Sequence, residues 1–257
     1  MNDKVSGPDR LRSYLVIAAT AGTIAFNWLA ALGRVSGVTP KEISEKYPTI
    51  VTPADYAFSI WGLIYVGLVA FSICQALPAN LARYRDLRSF YIASCALNCA
   101  WILFWHSDQI AVCFALILAL WAVLLFLNYK LRGTDSTAEY WLVKAPFGLY
   151  FGWVTAAAIV NFAVLLAYLK VSLTENSAVG IGTTLILLAA ASGVIARLKL
   201  RDYLFPLAVG WALAAIAVKQ SVHTLIVAAA AVGVVACLIA AASFVVNLPS
   251  SENRIGS

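Results

Sequence analysis

The sequence predicts an all-α protein, a polytopic membrane helical bundle, and three observations lead to this fold class. Of its 257 residues, 62% are hydrophobic and 12% are charged, whereas soluble domains have roughly 25% charged residues. Apolar runs of about 20 residues recur along the chain, and such a run can cross a bilayer as a helix. Polar loops that hold most Lys and Arg residues separate these runs. The net charge of +6 therefore indicates loops beside anionic lipid and no nucleic-acid partner.

Eight apolar runs are predicted to cross the membrane. Pro78 follows the second run and ends it, because proline cannot continue a helix. The fifth run is longer than the bilayer core requires, so it must tilt, kink or begin at the surface. The seventh run is the shortest and has Pro206 in its first turn. The predicted spans are residues 13–33, 56–77, 89–105, 110–129, 140–169, 178–196, 204–218 and 224–246.

The runs suggest four segments of chain. Residues 1–12 form an N-terminal tail, 13–170 a five-helix membrane core, 171–247 a three-helix C-terminal extension, and 248–257 a polar tail. The loops on the side of both termini hold more Lys and Arg than the opposite loops, which predicts cytoplasmic termini. Pairs of small residues four apart in the sixth and eighth spans predict close helix packing. We therefore interpret the extension as a packing module.

Three helix faces in the core combine flat aromatic rings with amides or small residues. Residues three, four or seven apart on a helix lie near one face, so each group below can wall a common space. Aromatic walls with a few polar groups suit a planar apolar ligand that has polar edges. The candidate residues are Trp61 and Tyr65 in the second span, Tyr91, Asn98 and Trp101 in the third, and Trp153 and Asn161 in the fifth.

Each of these residue types also has a purely structural use. An asparagine in a membrane helix often bridges helices, so the Asn98 and Asn161 amides could line a pocket, hold helices in register, or do both. Aromatic residues near span ends usually sit in the interfacial belt. We expect that belt position for four residues, Trp28, Trp105, Tyr129 and Trp141.

The sequence offers no group of residues typical of catalysis. The spans contain no Asp or Glu that could relay protons, which argues against a proton-coupled pump. His106 and His223 stand near span ends without a catalytic partner, and the five cysteines lie in apolar runs without a CxxC pair. An enzyme is therefore the less favoured class, and the sequence predicts no metal site.

The third span carries the strongest of several motifs along the first three-fifths of the chain. These motifs resemble the tryptophan-rich sensory proteins, the family of the translocator protein (peripheral benzodiazepine receptor, TspO/MBR). The resemblance rests on Phe90-Tyr91 followed by Asn98-Cys99-Ala100-Trp101, on Trp61-Gly62-Leu63-Ile64-Tyr65 after Pro53, on Trp121, and on Trp153 with Asn161.

The resemblance implies a five-helix core that binds tetrapyrroles such as haem or porphyrin, and in some members sterols or synthetic drugs. It implies no required cofactor, and it allows a homodimer. In this reading the chain is an integral membrane binding or sensory protein for a planar hydrophobic molecule, with a role in its handling or transport. The alternatives are an eight-span small-solute transporter, a porphyrin- or pigment-modifying membrane enzyme, and an assembly subunit.

Overall fold

A computed structural model describes residues 7–133 and 136–243, and these ranges contain helices and turns but no strand. Seven helical segments there are long and apolar enough to cross a membrane, and an eighth, Leu204–Lys219, is apolar but shorter. The all-α, multi-pass membrane fold is therefore confirmed. The helices are α1 Gly7–Ala31, α2 Pro40–Lys46, α3 Ile60–Cys74, α4 Arg85–His106, α5 Ile110–Lys130, α6 Thr137–Glu139, α7 Ala145–Tyr168, α8 Glu175–Leu200, α9 Leu204–Lys219 and α10 Thr224–Ala242.

Some sequence predictions concern residues at the chain ends. Helix α1 begins at Gly7, so half of the predicted N-terminal tail is helical. Residues 1–6, the polar tail 248–257 and the last residues of the predicted eighth span lie outside the described ranges.

One end of the bundle gathers the loops that follow α1, α4 and α9, and we call it the loop end. The Tyr47 hydroxyl donates a hydrogen bond to Asp108 at 3.0 Å. The Gln220 side chain donates to the carbonyl oxygens of Thr49 and Thr52 at 3.1 and 3.2 Å. These contacts join the segment 34–55 to two other loops, so alternate helices run toward this end.

Helix α9 corresponds to the seventh predicted span and reaches across the bundle although it is short. Its 16 residues rise about 24 Å, which is less than the roughly 30 Å core of a bilayer. At the start of α9 the amide of Tyr203 donates to the Tyr140 hydroxyl, far from the loop end. Just after α9, Gln220 contacts the loop end. The turns on either side of α9 therefore lie at opposite ends of the bundle.

Helix α9 also joins the extension to the core, because it packs against α7 as well as against α8 and α10. The close approach depends on Gly152 of α7. A Cβ atom at Gly152 would collide with the backbone carbonyl oxygen of Phe205, which cannot move aside as a side chain can. Glycine at this position lets the two backbones meet, as small residues do in membrane helix pairs.

The long fifth span is irregular at its beginning. Residues Thr137–Tyr168 form a continuous helical stretch of 32 residues, in which Tyr140–Lys144 is π-helical and α7 follows with Pro146 in its first turn. A proline cannot donate the backbone hydrogen bond of a regular helix, and a π-helical turn before it changes the local path. This segment therefore accommodates the excess length that the sequence indicated.

A buried arginine anchors the end of the bundle opposite the loop end. Arg88 is fully buried in α4. Its guanidinium donates to the Gln75 side chain at 2.7 Å and to the Leu81 carbonyl at 2.7 Å. Two further hydrogen bonds join Arg85 to the carboxylate of Asp9 at 2.8 and 3.0 Å. A buried charge needs such partners, and here they fix the starts of α1 and α4 to the end of α3.

Candidate ligand-binding site

A cavity of about 480 Å³ opens inside the core toward the loop end. Its volume is within the roughly 300–1,000 Å³ range of small-molecule pockets. Most of its wall is apolar, and it is bounded by α1, α3, α4, α5, α7 and α9 together with the segment 39–58. We call this space the core cavity.

Six of the seven residues selected from the sequence line the core cavity. They come from three helices that are separate in the chain, and α7 brings Trp153 against Trp61 and Asn161 against Trp101. The six are Trp61, Tyr65, Asn98, Trp101, Trp153 and Asn161.

Two aromatic groups form walls of the core cavity. Trp61 stacks on Tyr65 with ring centroids 5.4 Å apart, and its edge meets Trp153 at 6.4 Å and 80°. Trp101 stacks on Trp105 with centroids 5.2 Å apart and an interplanar angle of 19°. Both arrangements are favourable for aromatic pairs, so the rings hold one another in place and present flat surfaces to a ligand.

The belt prediction is wrong for Trp105. Its side chain is 3% exposed, and its indole nitrogen donates to the carbonyl oxygen of Pro40 at 3.0 Å. The segment after α1 folds back over the end of α4 and covers this ring. The sequence of α4 alone does not indicate this contact. Trp28 and Trp141 are 66% and 58% exposed and Tyr129 is also exposed, as belt residues are.

The two asparagines both line the core cavity and connect helices. The Asn98 oxygen accepts from Asn27 of α1 at 2.8 Å, and its amide nitrogen donates to the Tyr150 hydroxyl of α7 at 3.1 Å. The Asn161 oxygen accepts from the Trp101 indole at 3.1 Å. An amide has two donor hydrogens and two acceptor lone pairs. Each side chain therefore keeps hydrogen-bonding capacity beyond these helix contacts.

Two indole groups remain as donors for a ligand. The nitrogens of Trp61 and Trp153 donate to no residue that the structure describes. Other core indoles are satisfied, as the one of Trp121 is by the Thr155 hydroxyl at 3.0 Å. Because an indole N–H usually finds an acceptor when it is buried, these two donors suit the polar edge of a bound molecule.

The seventh selected residue, Tyr91, does not line the core cavity. It is fully buried, its hydroxyl shares a hydrogen bond of 2.6 Å with Thr20, and its ring packs on Phe71 and Phe147. Tyr91 precedes Asn98 by two helical turns, so it lies on a similar face but about 10 Å farther along the axis. Tyr91 and Asn98 therefore lie near one face of α4, but the core cavity does not extend as far as Tyr91.

Several lining residues were not selected from the sequence. Asn27 had a signal, a lone amide in an apolar run, and it now bridges α1 to α4. Ala212 and Ile216 of α9 line the core cavity, although nothing distinguishes them from the apolar residues around them. The packing-module interpretation therefore does not cover α9, which forms part of the cavity wall.

The lining combines aromatic rings with a few polar groups. The part of the lining that the structure describes has no His, Cys or Met that could be an axial ligand to iron, but it has Tyr65, whose residue type can ligate haem iron. Within the described ranges no three His, Cys, Asp or Glu residues group as metal ligands do. The residues present can stack on a ring system and donate to its edge.

The family model of the TSPO-like proteins matches residues 13–244, from α1 through α10. No curated protein and no solved structure matches the chain.

Proposed function

Because this chain belongs to the TSPO-like protein family, whose members are membrane ligand-binding or sensory proteins, we propose that its ligand is a planar tetrapyrrole. The ligand would occupy the core cavity as a haem or a metal-free porphyrin, held by stacking and edge hydrogen bonds. The protein would sense or handle this molecule in the bilayer. Sterol-like compounds are the nearest competitors, because they too are flat and apolar.

The observation that carries this proposal is the convergence of six residues from three helices on one cavity. Stacked pairs stand on two sides, Trp61 with Tyr65 and Trp101 with Trp105. Any flat apolar ligand gains from burial against these rings, and a porphyrin plane gains aromatic stacking in addition. Tyr91 has no place in the proposed site.

Titration of the purified protein with protoporphyrin while tryptophan fluorescence is recorded tests the proposal. We expect saturable quenching at micromolar ligand. The double variant Trp61→Leu, Trp101→Leu should bind about tenfold more weakly, because it loses two stacking surfaces. Trp141→Leu is the matched control, since this residue is exposed and remote from the core cavity.

The proposal fails if micromolar protoporphyrin produces no saturable quenching. It also fails if the double variant binds protoporphyrin as tightly as the Trp141→Leu control does. Saturable binding of cholesterol in place of porphyrin would assign the core cavity to sterols.

A further inference from the structure

A second cavity, of about 430 Å³, lies at the loop end beside the core cavity. One part of its wall comes from the segment 41–58, and another part comes from the connection between α9 and α10. We call this space the vestibule. Its wall therefore exists only because the C-terminal extension meets the loop that follows α1.

The vestibule and the core cavity adjoin. Five residues line both spaces, and they form the strip between them, Lys41, Ser44, Pro53, Asp55 and Phe58. The Lys41 ammonium and the Asp55 carboxylate make an ion pair of 2.6 Å in this strip. A molecule that fills the apolar core cavity can thus extend a polar group past this strip into the vestibule.

One of the two lysines that line the vestibule makes no ion pair with a residue that the structure describes. Lys41 is already paired with Asp55 and, at 3.8 Å, with Glu45. Lys219 has no carboxylate within 4.0 Å of its ammonium in the ranges 7–133 and 136–243. The neighbouring Gln220 is tied to the 41–58 segment by its two hydrogen bonds to carbonyl oxygens. Lys219 is therefore exposed at the vestibule wall without an ion pair, although its charge, after that of Lys41, helps to lower the pKa of Asp55.

We propose that the vestibule binds a carboxylate of the ligand whose apolar ring system occupies the core cavity, and that Lys219 pairs with this carboxylate. The inference rests on the proposed function and narrows it to amphipathic, acid-bearing planar molecules. It also gives the C-terminal extension a part in ligand selection. Ser44 and Thr49, which line the same space, can donate hydrogen bonds to the same anionic group.

The test compares mesoporphyrin with its dimethyl ester, which has the same ring system but no carboxylates. Both are titrated into the full-length protein and into Lys219→Gln in the same detergent. The affinity of each ligand for the wild type is compared with the affinity of the same ligand for Lys219→Gln. The partition of that ligand into micelles therefore cancels from the ratio. We expect Lys219→Gln to weaken binding of the acid about fivefold, the effect of one exposed ion pair, and to leave binding of the ester unchanged.

Lys199→Gln is the control, because Lys199 also lies exposed in the last turn of an extension helix but does not line the vestibule. It should change binding of neither ligand. Added salt should weaken binding of the acid to the wild type more than to Lys219→Gln, since screening acts on the pair.

Two results would overturn the vestibule assignment while porphyrin binding itself stands. In the first, Lys219→Gln leaves binding of the acid unchanged. In the second, Lys219→Gln weakens binding of the acid and of the ester equally, which would mean that Lys219 stabilises the structure and does not pair with the carboxylate. If neither ligand binds the wild-type protein, the proposed function fails and this inference fails with it.

Discussion

The five-helix core and the C-terminal extension are held together in different ways. Polar side chains connect the core helices, as Asn27, Asn98 and Tyr150 link α1, α4 and α7. In the extension small residues allow direct contact. A Cβ atom at Gly233 of α10 would lie 2.6 Å from Leu213 of α9. Polar links can hold helices apart around a space, whereas small-residue contacts close it. The core cavity lies among helices that polar side chains link, and α9 supplies an apolar part of its wall, Ala212 and Ile216.

The contact between α7 and α9 joins the extension to the core, so a substitution there should have the largest effect on stability. Gly152→Leu places a side chain against the Phe205 carbonyl and should separate the extension from the core. We expect a loss of stability of about 3 kcal/mol or more, since overpacking against backbone has no simple relief. Thermal unfolding in detergent measures it. Gly22→Ala, with open space around the new methyl group, should leave stability within about 1 kcal/mol; an equal loss in both variants would contradict the account.

The extension also contains one buried carboxyl group whose effect on stability can be measured. This group is Asp202, which lies in the turn between α8 and α9. Its Oδ1 accepts from the amides of Leu204 and Phe205 at 2.8 and 3.0 Å. Its Oδ2 is buried with no hydrogen-bond partner among the described residues. Burial raises the pKa of Asp202 to about 6. A raised pKa means that the folded state takes up a proton more readily than the unfolded state, so this carboxyl group favours folding more as pH falls from about 6 toward 4.

Asp202→Asn removes this titration and keeps an oxygen that can accept the two amide hydrogen bonds. The stability of the wild type relative to Asp202→Asn should therefore be greater at pH 4 than at pH 7, by up to about 2 kcal/mol. Chemical denaturation of both proteins at each pH gives this difference in the free energy of unfolding. The contributions of the carboxyl groups that both proteins contain cancel in it. A difference independent of pH would mean that Asp202 ionises normally despite its burial.

Among Gly152→Leu, Asp202→Asn and Asn98→Leu, we expect Asn98→Leu to have the smallest effect on stability. It removes the partner of both Asn27 and Tyr150, which costs about 1 kcal/mol on the scale of membrane helix hydrogen bonds. Ser192→Ala in α8 is the control, because this hydroxyl bonds only within its own helix, to the Ala189 carbonyl. Thermal unfolding compares the two. If Ser192→Ala costs as much as Asn98→Leu, polar links do not distinguish the core from the extension.

The sequence predicted the fold class and six residues of the cavity wall for a clear physical reason. Asn98 and Asn161 are amides in apolar runs, where an unsatisfied polar group is costly, so each had to meet another helix or a ligand. Trp101 and Trp153 were recognisable because their spacing places them on the helix faces of those amides, and Trp61 because it shares a face with Tyr65.

What the sequence missed depends on contacts between distant segments. Trp105 looked like an interfacial residue until the segment around Pro40 was seen to cover it. Ala212 lines the core cavity only because Gly152 lets α9 approach α7. Periodicity within one helix contains no information about which neighbour covers a face, so neither outcome could be predicted from its own span.

Circular dichroism of protoporphyrin in its Soret band tests the central claim most directly. A porphyrin held between the asymmetric walls of the core cavity should show an induced signal that saturates at one molecule per chain, whereas a porphyrin dissolved in detergent should show none. We predict this signal for the wild type and for Trp141→Leu, and its loss in the Trp61→Leu, Trp101→Leu double variant. An induced signal that survives in the double variant, or its absence from the wild type, would contradict the account.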